Sequence, residues 1–247
     1  MMVQSPVALV IGAGDATGGA IARRFAREGY TACVTRRSLE ALQPLLDQIH
    51  AGGGQARGFA SDARKEEEVI ALVEQIEGEV GPIEVLVFNI GANVPCSILD
   101  ETARKYFKIW EMACLGGFLN GREVARRMVA REGDGRAKTI VFTGATASLR
   151  GAANFAAFAG AKHALRALAQ SMARELGPRG IHVAHVVIDG AIDTAFIRDN
   201  FPERYALKDQ DGILNPDHIA DSYWMLHSQP RDAWTHELDL RPYMEKF

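Results

Sequence analysis

Cysteine is scarce in this chain, with three in 247 residues, at positions 33, 96 and 114. So few, spaced so widely, exclude a disulfide-built scaffold and any CxxC or metal-knuckle pattern, leaving Cys33, Cys96 and Cys114 as reduced, small core side chains. An excess of either charge is missing too. The 28 Lys and Arg nearly cancel the 31 Asp and Glu, for a formal net charge of -3. No global field therefore draws in nucleic acid or an anionic membrane, and the basic stretch from Arg122 to Arg136, broken by Glu123, Glu132 and Asp134, reads as a solvated face. No apolar run is long enough to span a bilayer. The N-terminal MMVQSPVALVIGAG has neither a basic flank nor a cleavage-type site, so an unprocessed, soluble, cytoplasmic protein is expected. The histidines show no HxxxH or other metal spacing, and His182 and His185, an odd number of positions apart on one strand, cannot share a face; no metal site is expected.

What the chain does contain is a regular alternation. Short β-branched and apolar runs, Val7 to Ile11, Tyr30 to Thr35, Ala56 to Ala60, Ile83 to Phe88, Thr139 to Thr143, Ile181 to Ile188 and Trp234 to Leu240, predict about seven strands. Helical periods separate them at Gly18 to Glu28, Leu39 to His50, Arg64 to Glu79, Asp100 to Trp110, Glu111 to Glu132 and Ala153 to Leu176. Strands that are continuously apolar, alternating with helices, predict an α/β fold: a doubly wound, Rossmann-type parallel sheet with helices on both faces, in a single domain over residues 1–247. Its ligand crevice lies at the carboxyl ends of the strands. The polar, irregular segment 193–216 is the place for a substrate loop or lid.

Two features at strand ends point to a nucleotide. After the first strand comes GAGDATGGAIA, which crowds Gly12, Gly14, Gly18 and Gly19 between strand and helix. Such a turn lets backbone approach a pyrophosphate seated at the helix N-terminus, although the spacing is not GxGxxG and a glycine-rich turn also occurs as plain geometry. The second strand ends in Arg36 and Arg37, where an acidic residue would meet a ribose hydroxyl and arginine suits a 2'-phosphate. NADP(H) is therefore expected over NAD(H). The alternative is two solvated arginines opening a helix.

The order and spacing of GAGDATG (Gly12 to Gly18), SDA (Ser61 to Ala63), FNIG (Phe88 to Gly91), FAGAK (Phe158 to Lys162) and DGAIDT (Asp189 to Thr194) resemble the short-chain dehydrogenase/reductase family over essentially the whole chain. The resemblance implies cofactor contacts from Gly12, Gly14, Asp15, Ala16, Thr17 and Gly18. Asp62 and Ala63 would flank the adenine, Asn89 and Gly91 line the cofactor, and Gly190, Ile192 and Thr194 hold the nicotinamide end. Asp189 stands where the family usually has proline. Subunits pairing through the two long helices, as a homodimer or homotetramer, are also implied.

The family's active site is an Asn, Ser, Tyr and Lys set, and here only the lysine is kept. Lysine falls on Lys162, tyrosine on Phe158, serine on Ala145 and asparagine approximately on Ala113. A branch of the family that reduces enoyl thioesters spaces its tyrosine seven residues before the lysine, and that position is Phe155. Phenylalanine has no proton to give and alanine cannot bond a carbonyl oxygen. Thr146 and Ser148, with Thr143, are hydroxyls that could stand in, or simply turn hydroxyls bonding their own backbone. Lys162 sits in the apolar stretch NFAAFAGAKHAL, where a lone ammonium is costly unless paired. It is read as binding the cofactor ribose, with a snorkelling lysine as the alternative. Two functions remain: an NADP(H)-dependent oxidoreductase acting on a small carbonyl or alcohol with an atypical proton donor, or a catalytically inactive NADP(H)-binding sensor or subunit partner.

Overall fold

Alternate residues of the first strand, β1 (Val7–Ile11), face two different cores: Val7, Leu9 and Ile11 pack on one side of the sheet, Ala8 and Val10 on the other. Strand side chains point alternately up and down, so a strand apolar at every position must be covered on both faces. A computed structural model describes residues 5–246 in these terms. Met1 to Gln4, which open the N-terminus expected to be unprocessed, lie outside the described residues.

Seven strands form one parallel sheet: β1, β2 (Thr31–Arg36), β3 (Gln55–Ala60), β4 (Ile83–Phe88), β5 (Thr139–Thr143), β6 (His182–Ile188) and β7 (Glu237–Leu240), in the order β3-β2-β1-β4-β5-β6-β7. One face is covered by α1 (Thr17–Arg27), α2 (Gln43–Ala51) and, near the end of the chain, α9 (Pro216–His227), through Phe25, Leu46 and Tyr223. The other is covered by α3 (Glu66–Glu79), α5 (Gly116–Ala130) and α6 (Ala156–Leu176), through Ile76, Met128 and Leu165. The chain reverses direction across the sheet between β1 and β4, the switch point of a doubly wound fold, where strand ends open a crevice. Cys33 is completely buried on β2, the small core residue expected of it, and burial pushes its thiol up to about 12.

The structure corrects several expected boundaries. Helix α6 begins at Ala156 instead of Ala153 because Asn154 has φ 69°, a left-handed conformation that asparagine tolerates and a helix does not. The Asn154 carbonyl accepts from Cys96 N at 2.7 Å, which fixes the entry to α6 against the loop after β4. Helix α4 (Ala103–Trp110) starts three residues late because Thr102 caps it, its Oγ1 accepting from Lys105 N at 3.2 Å. Between α4 and α5 lies a π-turn, Glu111–Leu115, which makes one continuous rod of two expected helices. Segment 193–216 is not irregular throughout: it carries two short helices, α7 (Ala195–Asn200) and α8 (Pro202–Tyr205). Helix α9 has no counterpart among the predicted elements. Among the described residues no helix is long and apolar enough to cross a membrane.

Candidate active site

The glycine-rich turn is built by close approach. Gly12 has φ 84°, and a Cβ there would lie 2.9 Å from Ile90 Cγ1 and 3.0 Å from the Asn89 carbonyl oxygen. At Gly18 a Cβ would stand 2.5 Å from the Gly12 oxygen, so β1, α1 and the end of β4 meet only because side chains are absent there. Asn89 locks the arrangement by donating from Nδ2 to the Gly12 oxygen at 3.2 Å. Ala16 occupies the N-cap of α1 without any side-chain cap, and no acidic residue lies in the first turn, so the first N–H groups of α1 are left for an anion. Thr17 is largely buried yet lines the cavity over the ends of β4, β5 and β6, while Asp15 is exposed.

Beside the turn is a cavity of about 180 Å³ bounded by Gly12, Arg36, Arg37, Asp62, Ala63 and Arg64, among others. Arg36 reaches across the turn to Asp15 at 3.2 Å and donates to the Ala41 oxygen at 3.1 Å. Arg64 grips Asp62 with two nitrogens, at 2.9 and 2.5 Å, and holds that carboxyl down near 2. Arg64 was not singled out in the sequence, where only its neighbours matched a motif.

A larger cavity, about 700 Å³, shares Ile90 with the first and continues over the ends of β4, β5 and β6. Asn89, Gly91, Gly190 and Ile192 all line it, with Phe155, Phe158 and Ala145. Thr194 instead caps α7, accepting from Ile197 N at 3.1 Å. Lys162 is 3% exposed, so it does not snorkel; its Nζ donates to the oxygens of Thr143 at 2.7 Å and Ile90 at 3.1 Å. The ammonium thus has two acceptors from the protein itself, where a hydroxyl of the cofactor was expected to be its partner. Burial still disfavours the charge and brings Lys162 down to about 8.

The candidate hydroxyls separate. Ser148 is fully buried, its Oγ accepting from Ala145 N at 3.1 Å, and is not part of the cavity wall. Thr146 does face the cavity, but its hydroxyl donates to Asp189. Thr143 Oγ1 meets the hydroxyl of Tyr223 at 2.8 Å, and complete burial drives that phenol upward. Ala113 is buried inside the π-turn, against a small cluster that includes Ala157 and Ala161. Arg150, Phe196, Phe201, Arg204 and Glu245 also line the cavity, and none of them was singled out in the sequence. A lid at 193–216 signalled Phe196 to Arg204 only as a segment, and nothing in the sequence tied Glu245 to it.

A family model described as short chain dehydrogenase matches residues 6–204. A crystal structure of a short-chain dehydrogenase from Rhodopseudomonas palustris is 46% identical, with a TM-score of 0.81 over 97% of this chain and 99% of that one. The short-chain reductase protein NovJ of Streptomyces niveus is 30% identical over 86% of this chain and 78% of its own length. A metagenomic short-chain oxidoreductase solved in complex with NADP shares the fold, at 24% identity and a TM-score of 0.82 over 98% of this chain and 99% of that one.

Proposed function

The chain belongs to the short-chain dehydrogenase family, a family of NAD(P)-binding oxidoreductases, and from that premise we propose that it transfers hydride between NADP(H) and a small carbonyl or alcohol, with Lys162 supplying the proton. The carrying observation is the run of two cavities meeting at Ile90, from Arg36 and Arg37 at one end to Lys162 at the other. The residues fit a dinucleotide: a turn too tight for side chains, uncapped N–H groups on α1 for the pyrophosphate, and guanidinium groups at the adenosine end for a 2'-phosphate. When bound, the nicotinamide supplies or accepts the hydride.

The chain's own residues handle the proton. Of the cavity groups that carry a labile proton, Thr146 gives its hydrogen to Asp189 and Thr143 is tied to Tyr223, so neither is free to protonate a developing alkoxide. Lys162 has three N–H donors, two of them directed at backbone oxygens, and a charge that burial makes easier to give up near neutral pH. Its third donor serves the ribose or the substrate oxygen. We place the protein in the cytoplasm, which free Cys33, Cys96 and Cys114 suit. Pairing of chains over the exposed Tyr106, Phe107 and Phe118 belongs to the same proposal, and the mass in solution tests it.

A second reading, retained binding without turnover, is favoured by Phe158 and Ala145, which are chemically inert and stand in the cavity wall. A screen of ketones and aldehydes with NADPH, followed at the nicotinamide absorbance, separates the two. Turnover that Lys162→Ala abolishes supports the oxidoreductase; NADPH binding with no turnover on any carbonyl supports the sensor.

A further inference from the structure

The basic residues of the two cavities fall into two groups. Arg36, Arg64 and Lys162 each have an oxygen partner within the protein. The guanidinium groups of Arg37, Arg150 and Arg204 have none among the described residues. Arg37 lies at the adenosine end and is accounted for by a nucleotide phosphate. Arg150 and Arg204 lie in the wall of the larger cavity, on separate elements: Arg150 just after the turn that follows β5, Arg204 on α8 of the lid.

Around them the wall is strongly apolar. Phe155, Phe158, Phe196 and Phe201 all face the cavity, and the rings of Phe196 and Phe201 sit edge to face, 5.9 Å apart. The cavity also has two acids. Asp189 is engaged by Thr146 and by Arg241 at 3.4 Å. Glu245 lies beside Gly190, its Oε2 3.6 Å from where a Gly190 Cβ would be, and it repels an anion from that side. Two unpaired guanidinium groups among aromatic rings suit a carboxylate on an apolar body, since arginine binds carboxylate through paired N–H donors and stacks on rings.

We propose that the substrate is an apolar, aryl-bearing carbonyl compound with a carboxylate, the carboxylate held between Arg150 and Arg204 and the carbonyl directed to Lys162. This deepens the oxidoreductase reading and rests on it for the placement of the carbonyl. The carboxylate contact is measurable without turnover. β-Benzoylpropionate, an aryl keto acid, and its methyl ester share the aryl ketone and differ only at the carboxyl group, where the ester carries a methyl in place of the charge. Calorimetric titration of each into the native protein, with and without saturating NADP, compares them directly.

The acid is expected to bind about tenfold or more tighter than the ester, the scale of a charged hydrogen bond. Arg150→Gln and Arg204→Gln are each expected to weaken the acid and leave the ester and NADP unchanged. Added salt is expected to weaken the acid and not the ester, a test that needs no variant. An ester that binds as well as the acid, an acid that does not bind, or variants that leave the acid's affinity intact would overturn the proposal. Failure of NADP to bind, with the preference for the acid intact, would instead count against the oxidoreductase reading and leave the carboxylate site standing.

Discussion

The ammonium of Lys162 lies 5.9 Å from the centroid of the Phe158 ring, both in the wall of the larger cavity. In the family's pattern that position holds a phenol, whose acidity the lysine tunes. Here the lysine meets a ring face that stabilises its charge weakly and passes on no proton. Phe158→Tyr combined with Ala145→Ser restores two of the three missing groups, the phenol and the serine hydroxyl, in a cavity already shaped around a six-membered ring. The double variant is expected to raise carbonyl reduction by about 10²–10⁴, the usual contribution of a positioned acid. Single-turnover rates with NADPH check it; an unchanged rate means Phe158 does not stand over the reacting carbon.

Lys162 itself is predicted to set the pH dependence. Because burial brings it to about 8, it carries its proton below that pH and loses it above. The rate of carbonyl reduction per unit substrate, kcat/KM, should fall as pH rises through about 8, as required when the protonated form is the donor. Lys162→Ala should also weaken NADP(H) binding at least about tenfold, the cost of losing a charged hydrogen bond to the ribose. Steady-state rates across pH measure the first and fluorescence titration with NADPH the second; an affinity that Lys162→Ala leaves unchanged places the ammonium outside the pocket.

Cofactor choice should reside in Arg36. Its guanidinium is already paired with exposed Asp15, so a 2'-phosphate has to draw it from a solvated partner, which is a weak competitor. Arg36→Ala is expected to lower NADPH affinity about tenfold or more and to leave NADH nearly unchanged. Equal losses for both nucleotides would show that Arg36 supports the turn without reading the phosphate.

Much of this arrangement was legible in the sequence because it rests on local patterns. The continuous apolar runs set β1, β4 and β5 at Val7, Ile83 and Thr139, and the glycines after β1 announced a close approach that the Gly12 and Gly18 contacts bear out. Arg150 and Arg204 were not legible as individual residues, since an exposed arginine in a loop or a short helix looks alike whether it faces solvent or a cavity. Of the two readings of Ser148, the turn hydroxyl is the one that the tight turn after Ala145 matches, its Oγ accepting from the Ala145 backbone. Helix α9 was overlooked although Tyr223, at its centre, is among the largest fully buried side chains and covers one face of the sheet.

The same helix makes stability depend on acid. His227, on α9, is 7% exposed, with Nε2 at 2.6 Å from the Tyr30 hydroxyl and Nδ1 at 2.8 Å from Thr139 Oγ1. It is surrounded by Phe25, Tyr30 and Trp224, and burial brings it down from 6.5 to about 4. His185, fully buried on β6 with Nδ1 at 3.1 Å from Glu237, is brought down to about 4 in the same way. Both imidazoles fold neutral. Between pH 6.5 and about 4 the unfolded chain binds protons that the folded one refuses, so stability is fully present above pH 6.5 and declines as pH falls toward 4. A shift of this size is worth on the order of 3 kcal/mol for each imidazole. Urea unfolding at a series of pH values should show that decline. His227→Gln is expected to lower stability at neutral pH by about 1–3 kcal/mol, through the hydrogen bonds it disturbs, and to flatten the slope below pH 6.5. A slope that His227→Gln leaves as steep as the native one would show that His227 is not among the groups that charge on unfolding.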